Sequence, residues 1–336
     1  MGTNHGLAKP DRRLVLITGA GASRNLGKGG PLPLMGDWAR ILSGDLGADA
    51  KAIGLSPQIS GEAFEKLVGS FLKWSQGHDL NGRFGRLIPF YGDVAEWAMK
   101  CQRKTDEMVN IIRTSVFREF SKVRLDERAV ENAYGKLFAH LDIKRGELVC
   151  ATTNYDPSLR LALRRRDLNP AIGDDGEPGS TAMLRIVDLV DWDVRHRNCT
   201  PMLHLHGMVG WYWKGNEIQV LPDDQEFVPA LGAPAVMLPD PQKDPFVVDV
   251  IRELWSNLRA ALDDATHVLV LGHSLHDPHL ADELRRSEGA TICVAAPKDC
   301  VQDVARSIEG AVALPMEFGP NFEIEAGLLE SWSQPR

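Results

Sequence analysis

Short apolar runs that stop at glycine or polar residues recur along the chain at 13–18 (RLVLIT), 148–152 (LVCAT), 202–206 (MLHLH), 267–272 (HVLVLG) and 291–295 (TICVA). Runs this short, rich in β-branched residues and closed by turn formers, predict buried β-strands. Helical spacing is predicted for 38–42, 157–166, 246–263 and 281–286, between or beside those runs. The texture changes between about 60 and 140. There Glu62, Phe64, Leu67, Val68, Phe71, Leu72 and Trp74 recur at helical spacing, and so do Val94, Trp97, Met99, Ile111, Ile112, Val116, Phe117 and Phe120. This predicts a mostly helical insertion or cap over 51–140, with an internal loop at 76–86. Residues 27–33 (GKGGPLP) and 168–178 read as loops. The proline-rich stretch 211–245, with Trp211, Tyr212 and Trp213, reads as a long surface excursion, and 321–336 as a C-terminal tail.

Strands alternating with helices predict an α/β fold: a Rossmann-like, mainly parallel sheet with helices on both faces. Its core is discontinuous, formed by 10–50 and 141–320 around the insertion. Ligands of such sheets bind in the crevice beyond the carboxyl ends of the strands. Four predicted strand ends carry glycine or polar residues: Gly19 to Ser23, Thr153 to Asp156, His204 to Gly207, and Gly272 to Ser274. If those strands are parallel neighbours, all four motifs meet on one rim.

The chemistry of each motif differs. Gly19-Ala20-Gly21-Ala22-Ser23 falls short of the G-x-G-x-x-G fingerprint, because Arg24 stands at the third glycine's place. Gly19 and Gly21 let the backbone approach a pyrophosphate, and Ser23 adds a hydroxyl; a ligand-free turn is the competing reading. Asn154 and Asp156, two apart, share a face in extended backbone. Asn154 suits the orientation of a water or a sugar hydroxyl. Asp156 suits an amide or a cation, and equally the cap of the next helix. His206, read as the last strand residue before Gly207, is a competent general base at neutral pH. His204 reads as a packing histidine. Asp277 and Pro278 predict the N-cap and first residue of a helix, leaving Gly272 and Ser274 to face a ligand.

Composition narrows the function classes. Among 336 residues, 46 are acidic and 38 basic, a formal net charge of −8, which argues against broad electrostatic binding to nucleic acid. The five cysteines form no Cys-x-x-Cys pair, which disfavours a zinc ribbon and suits reduced thiols in a cytoplasmic protein. No apolar signal segment opens the chain, and no apolar run reaches the length of a membrane span.

Taken in order, the four motifs resemble the sirtuin-like family, over roughly 12–42, 147–165, 200–208 and 266–284. Gly19 to Ser23 resembles its first NAD-binding loop. Thr153-Asn154-Tyr155-Asp156 resembles its ribose- and nicotinamide-contacting segment, Leu205-His206-Gly207 its catalytic histidine motif, and Gly272-His273-Ser274 its late adenosine-ribose loop. Three departures stand out. The four-cysteine zinc module of the protein deacylases is missing, Pro31 to Met35 replace the usual Asp-Phe-Arg, and the helical insertion between the first two motifs is long. The pattern is similar to the divergent bacterial branch that hydrolyses NAD in anti-phage defence. The resemblance implies Asn154 and His206 as catalytic residues, NAD⁺ as substrate, and no metal. It also implies a homo-oligomer with a partner ATPase or other defence protein. The alternatives are a non-catalytic NAD or ADP-ribose sensor and, with the zinc module gone, a disfavoured deacylase or ADP-ribosyltransferase.

Overall fold

The computed structural model describes residues 12–46, 57–77, 88–121, 124–143, 146–168, 170–171, 182–183, 199–214, 217–221, 234–238 and 249–323. The side chains of Phe71, Leu72, Trp74, Val94, Trp97, Met99 and Phe117 lie outside the described residues, as do the predicted loop beyond Gly77 and the tail beyond residue 323.

A seven-stranded, all-parallel sheet forms the centre of the fold. Its first strand, β1 (Leu14–Thr18), is flanked by β2 (Leu148–Thr152) and β9 (His267–Leu271). Beyond β2 lie β5 (Thr200–His204) and the two-residue edge strand β3 (Pro170–Ala171). Beyond β9 lie β10 (Thr291–Ala296) and β11 (Val312–Pro315). Apart from β3, the spatial order is third, second, first, fourth, fifth, sixth in chain sequence, which is the doubly wound Rossmann order. Every residue of β1 and β9 is buried, because helices cover both faces of the sheet, and this explains why those strands are apolar without alternation.

The flanking helices bury matching stripes. Helix α5 (Glu127–Leu141) places Val130, Tyr134, Leu137 and Leu141 in the main core. Asp126 caps its start by accepting from the amides of Arg128 and Ala129. Helix α6 (Ser158–Arg165) follows β2, α7 (Asp249–Asp263) precedes β9, and α8 (Pro278–Arg286) follows it. The short helices α1 (Ala20–Ser23) and α9 (Val301–Ala305) sit at strand ends. A second hydrophobic cluster belongs to α2 (Met35–Leu46), α3 (Gly61–Gly77) and α4 (Ile88–Ser121), and joins Trp38, Leu42, Phe64, Val68, Ile112, Val116 and Phe120. The division by packing therefore differs from the one drawn on sequence: α5 sits on the sheet, whereas α2 packs with the helices that follow it.

The predicted surface excursion at 211–245 is corrected in its described parts. They form an antiparallel sheet in the order β4 (Ala182–Met183), β7 (Glu217–Val220), β6 (Gly207–Lys214), β8 (Pro234–Val236). Trp211 and Tyr212 are fully buried there. The prolines of this stretch and the adjacent aromatics hid these strands from pattern reading, although Ile218 and Val220 of β7 are buried on either side of the half-buried Gln219.

At the centre of the rim the loop after β1 touches the loop after β9 backbone to backbone. The Gly21 amide donates to the Gly272 carbonyl at 2.8 Å. Gly272 has φ +63°, and a Cβ there would lie 2.2 Å from the Ala22 nitrogen. Gly272→Ala is therefore expected to destabilise the fold by at least about 2 kcal/mol. Gly289→Ala, where a Cβ meets nothing within 4 Å, should change the urea midpoint little. Equal midpoints for the two variants would contradict this account of the loop contact.

Candidate active site

The loops beyond β1, β2, β5, β9, β10 and β11 open into one cavity of about 940 Å³. That volume suits a large organic ligand. Of the residues singled out on sequence, Ala20, Gly21, Ser23, Thr153, Asn154, Asp156, His206, Gly272 and Ser274 line it. Gly19 lies immediately behind, with its carbonyl held by Asn154. The walls run from His206 beyond β5 to Met316, Glu317 and Phe318 beyond β11. Five strand-to-strand steps separate these ends, about 24 Å at the usual spacing. The cavity is therefore long in the direction that an extended ligand would lie across the switch point.

A buried polar chain organises the β1–β2 end. The Asn154 side-chain amide donates to the Gly19 carbonyl at 2.9 Å and to Ser23 Oγ at 3.1 Å. Because Gly19 offers only an acceptor there, the nitrogen of the amide faces it, and Oδ1 is the atom Asn154 has to offer a ligand. Ser23 in turn donates to Asp156 Oδ2 at 2.7 Å, and Asp156 Oδ1 accepts from the Ser158 amide at 3.0 Å, at the start of α6. This revises two roles drawn from sequence. Ser23 gives its proton to Asp156 and so has none for a phosphate while this network holds. Gly21 spends its amide on Gly272, and Gly19 spends its own on the Leu271 carbonyl. A Cβ on Gly19 would lie 2.7 Å from His273, so both glycines are needed for loop-to-loop packing.

His206 lies in the two-residue turn between β5 and β6, two residues past the end of β5, and not on the strand as predicted. Its backbone carbonyl accepts from the Met237 amide at 2.8 Å. Its Nε2 lies 3.0 Å from Asp277 Oδ2, and the side chains of both residues are about 95% buried. Asp277 is also the N-cap predicted for α8: its Oδ1 accepts from the amides of His279 and Leu280, with Pro278 in the first turn. The cap was legible in sequence. The imidazole partner was not, because 71 positions separate the two residues.

The second hydrophobic cluster supplies the roof. Trp38 of α2, Glu62 and Glu65 of α3, and Phe120 of α4 line the cavity. Trp38 and Phe120 have ring centroids 5.4 Å apart, and Phe120 meets Tyr155 edge-on at 5.4 Å. Burial raises the Tyr155 phenol far above its ordinary range, so it stays protonated and donates to the Met237 carbonyl. Carboxylates outnumber the other charged side chains of the lining: Glu62, Glu65, Asp156, Asp277, Asp303 and Glu317. Among the described residues on the walls the one arginine is Arg24, which pairs with Asp37 at 3.2 Å. None of the roof residues carried a sequence signal beyond helical periodicity. The described cysteines are free thiols, and Cys300 borders the cavity.

No protein-family model matches the sequence, and no curated protein matches it.

His204 stands apart from the cavity. It is completely buried against Trp211, at a centroid distance of 5.6 Å, and among the described residues neither ring nitrogen has a hydrogen-bond partner. Burial, reinforced by the nearby Arg160 charge, pushes its pKa down to about 3. The packing role read from sequence agrees with this environment. In the unfolded chain the same imidazole protonates near pH 6.5. Between those values the unfolded state binds the extra proton, so stability falls as pH drops. From pH 7 to pH 5 this group should cost about 2 kcal/mol. Urea melts of His204→Phe should lack that part of the acid slope, and slopes equal to wild type would remove His204 as its source.

Proposed function

We propose that the chain hydrolyses the nicotinamide–ribose bond of NAD⁺ to give nicotinamide and ADP-ribose, as an effector of anti-phage defence. The observation that carries the reading is the meeting of Asn154 and His206, from neighbouring strand ends, on the cavity that also takes the Gly19–Ser23 turn and the Gly272–Ser274 loop. These are the positions at which the sequence resembles the sirtuin-like NAD-binding and catalytic segments. The rim's length supports a ligand with two nucleotide halves. The ADP half lies toward β9, β10 and β11, and the nicotinamide riboside lies at the β2–β5 end. The pyrophosphate passes the turn at Ala20 to Arg24, beside the Arg24 guanidinium.

The chemistry asks for little acid catalysis. The pyridinium nitrogen takes the electron pair of the breaking C1′–N bond and leaves as neutral nicotinamide. Positive charge develops on the ribose, and the carboxylate-rich walls favour it. Water supplies the oxygen that bonds to C1′, and its proton passes to His206, a transfer typically worth about 10²–10⁴-fold. Asn154 Oδ1 accepts from that water or from a ribose hydroxyl and fixes its direction of attack. Asp156 adds negative charge from behind Ser23. A homo-oligomer and a partner protein that releases activity fit this role, because a cell survives an NAD-consuming enzyme only while it is silent.

His206→Ala and Asn154→Ala are each expected to lower nicotinamide release by about 10² or more. His206→Ala should keep the wild-type circular dichroism. Product analysis of purified protein with NAD⁺, alone and with candidate partners, makes the measurement. Wild-type turnover that survives both substitutions would reject the site, and binding of NAD⁺ without nicotinamide release would favour a sensor.

A further inference from the structure

We infer that Asp277 is a positioning residue that holds His206 as its Nε2–H tautomer and so makes Nδ1 the proton acceptor; its catalytic part rests on the function proposed above. The geometry divides the carboxylate between two tasks. Oδ1 caps α8, at 3.0 Å from the His279 amide and 3.4 Å from the Leu280 amide. Oδ2 faces His206 Nε2 at 3.0 Å. An ionised carboxylate only accepts hydrogen bonds, so the nitrogen facing it carries the hydrogen. In the neutral ring the lone pair then belongs to Nδ1. When Nδ1 takes a proton from water, the adjacent carboxylate stabilises the imidazolium that forms.

Both partners are anchored independently of one another. The Trp255 indole donates to the Leu205 carbonyl at 3.3 Å, and the Met237 amide donates to the His206 carbonyl at 2.8 Å, which together hold the turn that carries the imidazole. Pro278 and the two capped amides hold Asp277. The pair also joins the loop after β5 to the loop after β9, across the strands that carry Asn154 and Gly19.

Asp277→Asn separates the two tasks. Asparagine caps helices as well as aspartate does, so its carbonyl oxygen retains the α8 amides. Its NH₂ then replaces Oδ2 opposite His206 and is a donor. The ring must answer with an unprotonated Nε2, and the hydrogen moves to Nδ1. Proton-coupled nitrogen spectra of histidine-labelled protein, with His206→Gln to assign the signals, read this directly. The expected result is Nε2–H in the wild type, Nδ1–H in Asp277→Asn, and a loss of NAD⁺ turnover of about 10²–10⁴-fold, the range of general acid–base catalysis, whose upper end is the loss for the corresponding change in a serine-protease triad. Asp277→Ser retains a capping oxygen without the facing donor, and it should show mixed tautomers and an intermediate loss. Retention of Nε2–H in Asp277→Asn overturns the positioning role. An inverted tautomer with unchanged turnover overturns its catalytic consequence. A wild type that leaves NAD⁺ intact overturns the proposed function alone, since the spectra still decide how Asp277 sets the ring.

Discussion

The site depends on a contact that involves no side chain. The loops that leave β1 and β9 meet at the point where the chain reverses its direction of sheet building, and they do so as bare backbone. In a doubly wound sheet the crevice between such loops ordinarily separates them, because the connecting helices depart on opposite faces. Here the Gly21–Gly272 hydrogen bond bridges it. The left-handed backbone at Gly272 and the missing Cβ atoms at Gly19 and Gly21 are what permit the approach. The result is a continuous ledge along the strand ends, and the cavity lies over that ledge.

Polar groups above the ledge are satisfied in a fixed direction. Asn154 donates to Ser23, Ser23 donates to Asp156, and Asp156 receives the amide of α6. Flipping Asn154 would set its carbonyl against the Gly19 carbonyl, and turning the Ser23 hydroxyl toward Asn154 would set donor against donor; either costs more than a neutral hydrogen bond contributes. The same economy governs Asp277, whose two oxygens serve a helix terminus and an imidazole. Such chains hold side chains in place before a ligand arrives, and the cost of orientation is met during folding.

The roof has a different origin. Trp38, Phe64, Val68, Ile112, Val116 and Phe120 form a cluster of their own, joined to the sheet side through Tyr155, Val209 and Leu238. Helices α2, α3 and α4 cover the cavity because their apolar stripes find one another and the small antiparallel sheet. Access to the strand ends therefore depends on packing that is separate from the main core.

Hydrophobic pattern alone determined the five main strands, the parallel sheet and the helical character of α2 to α4. Local turn chemistry determined the Asp277 cap and the strand-end motifs that line the cavity. These features rest on interactions within a few residues, or on burial, and burial is written into residue type. The strands β6 to β8 escaped, because the prolines around them and the adjacent aromatics Trp211, Tyr212 and Trp213 drew the reading toward a loop. Tertiary structure alone decided that Gly19 and Gly21 serve loop contact, that Ser23 links Asn154 to Asp156, and that Asp277 faces His206. Those facts depend on hydrogen-bond direction between residues that are, respectively, more than 250, about 130 and 71 positions apart. A single sequence records which donors and acceptors exist; only the packed chain decides which of them meet.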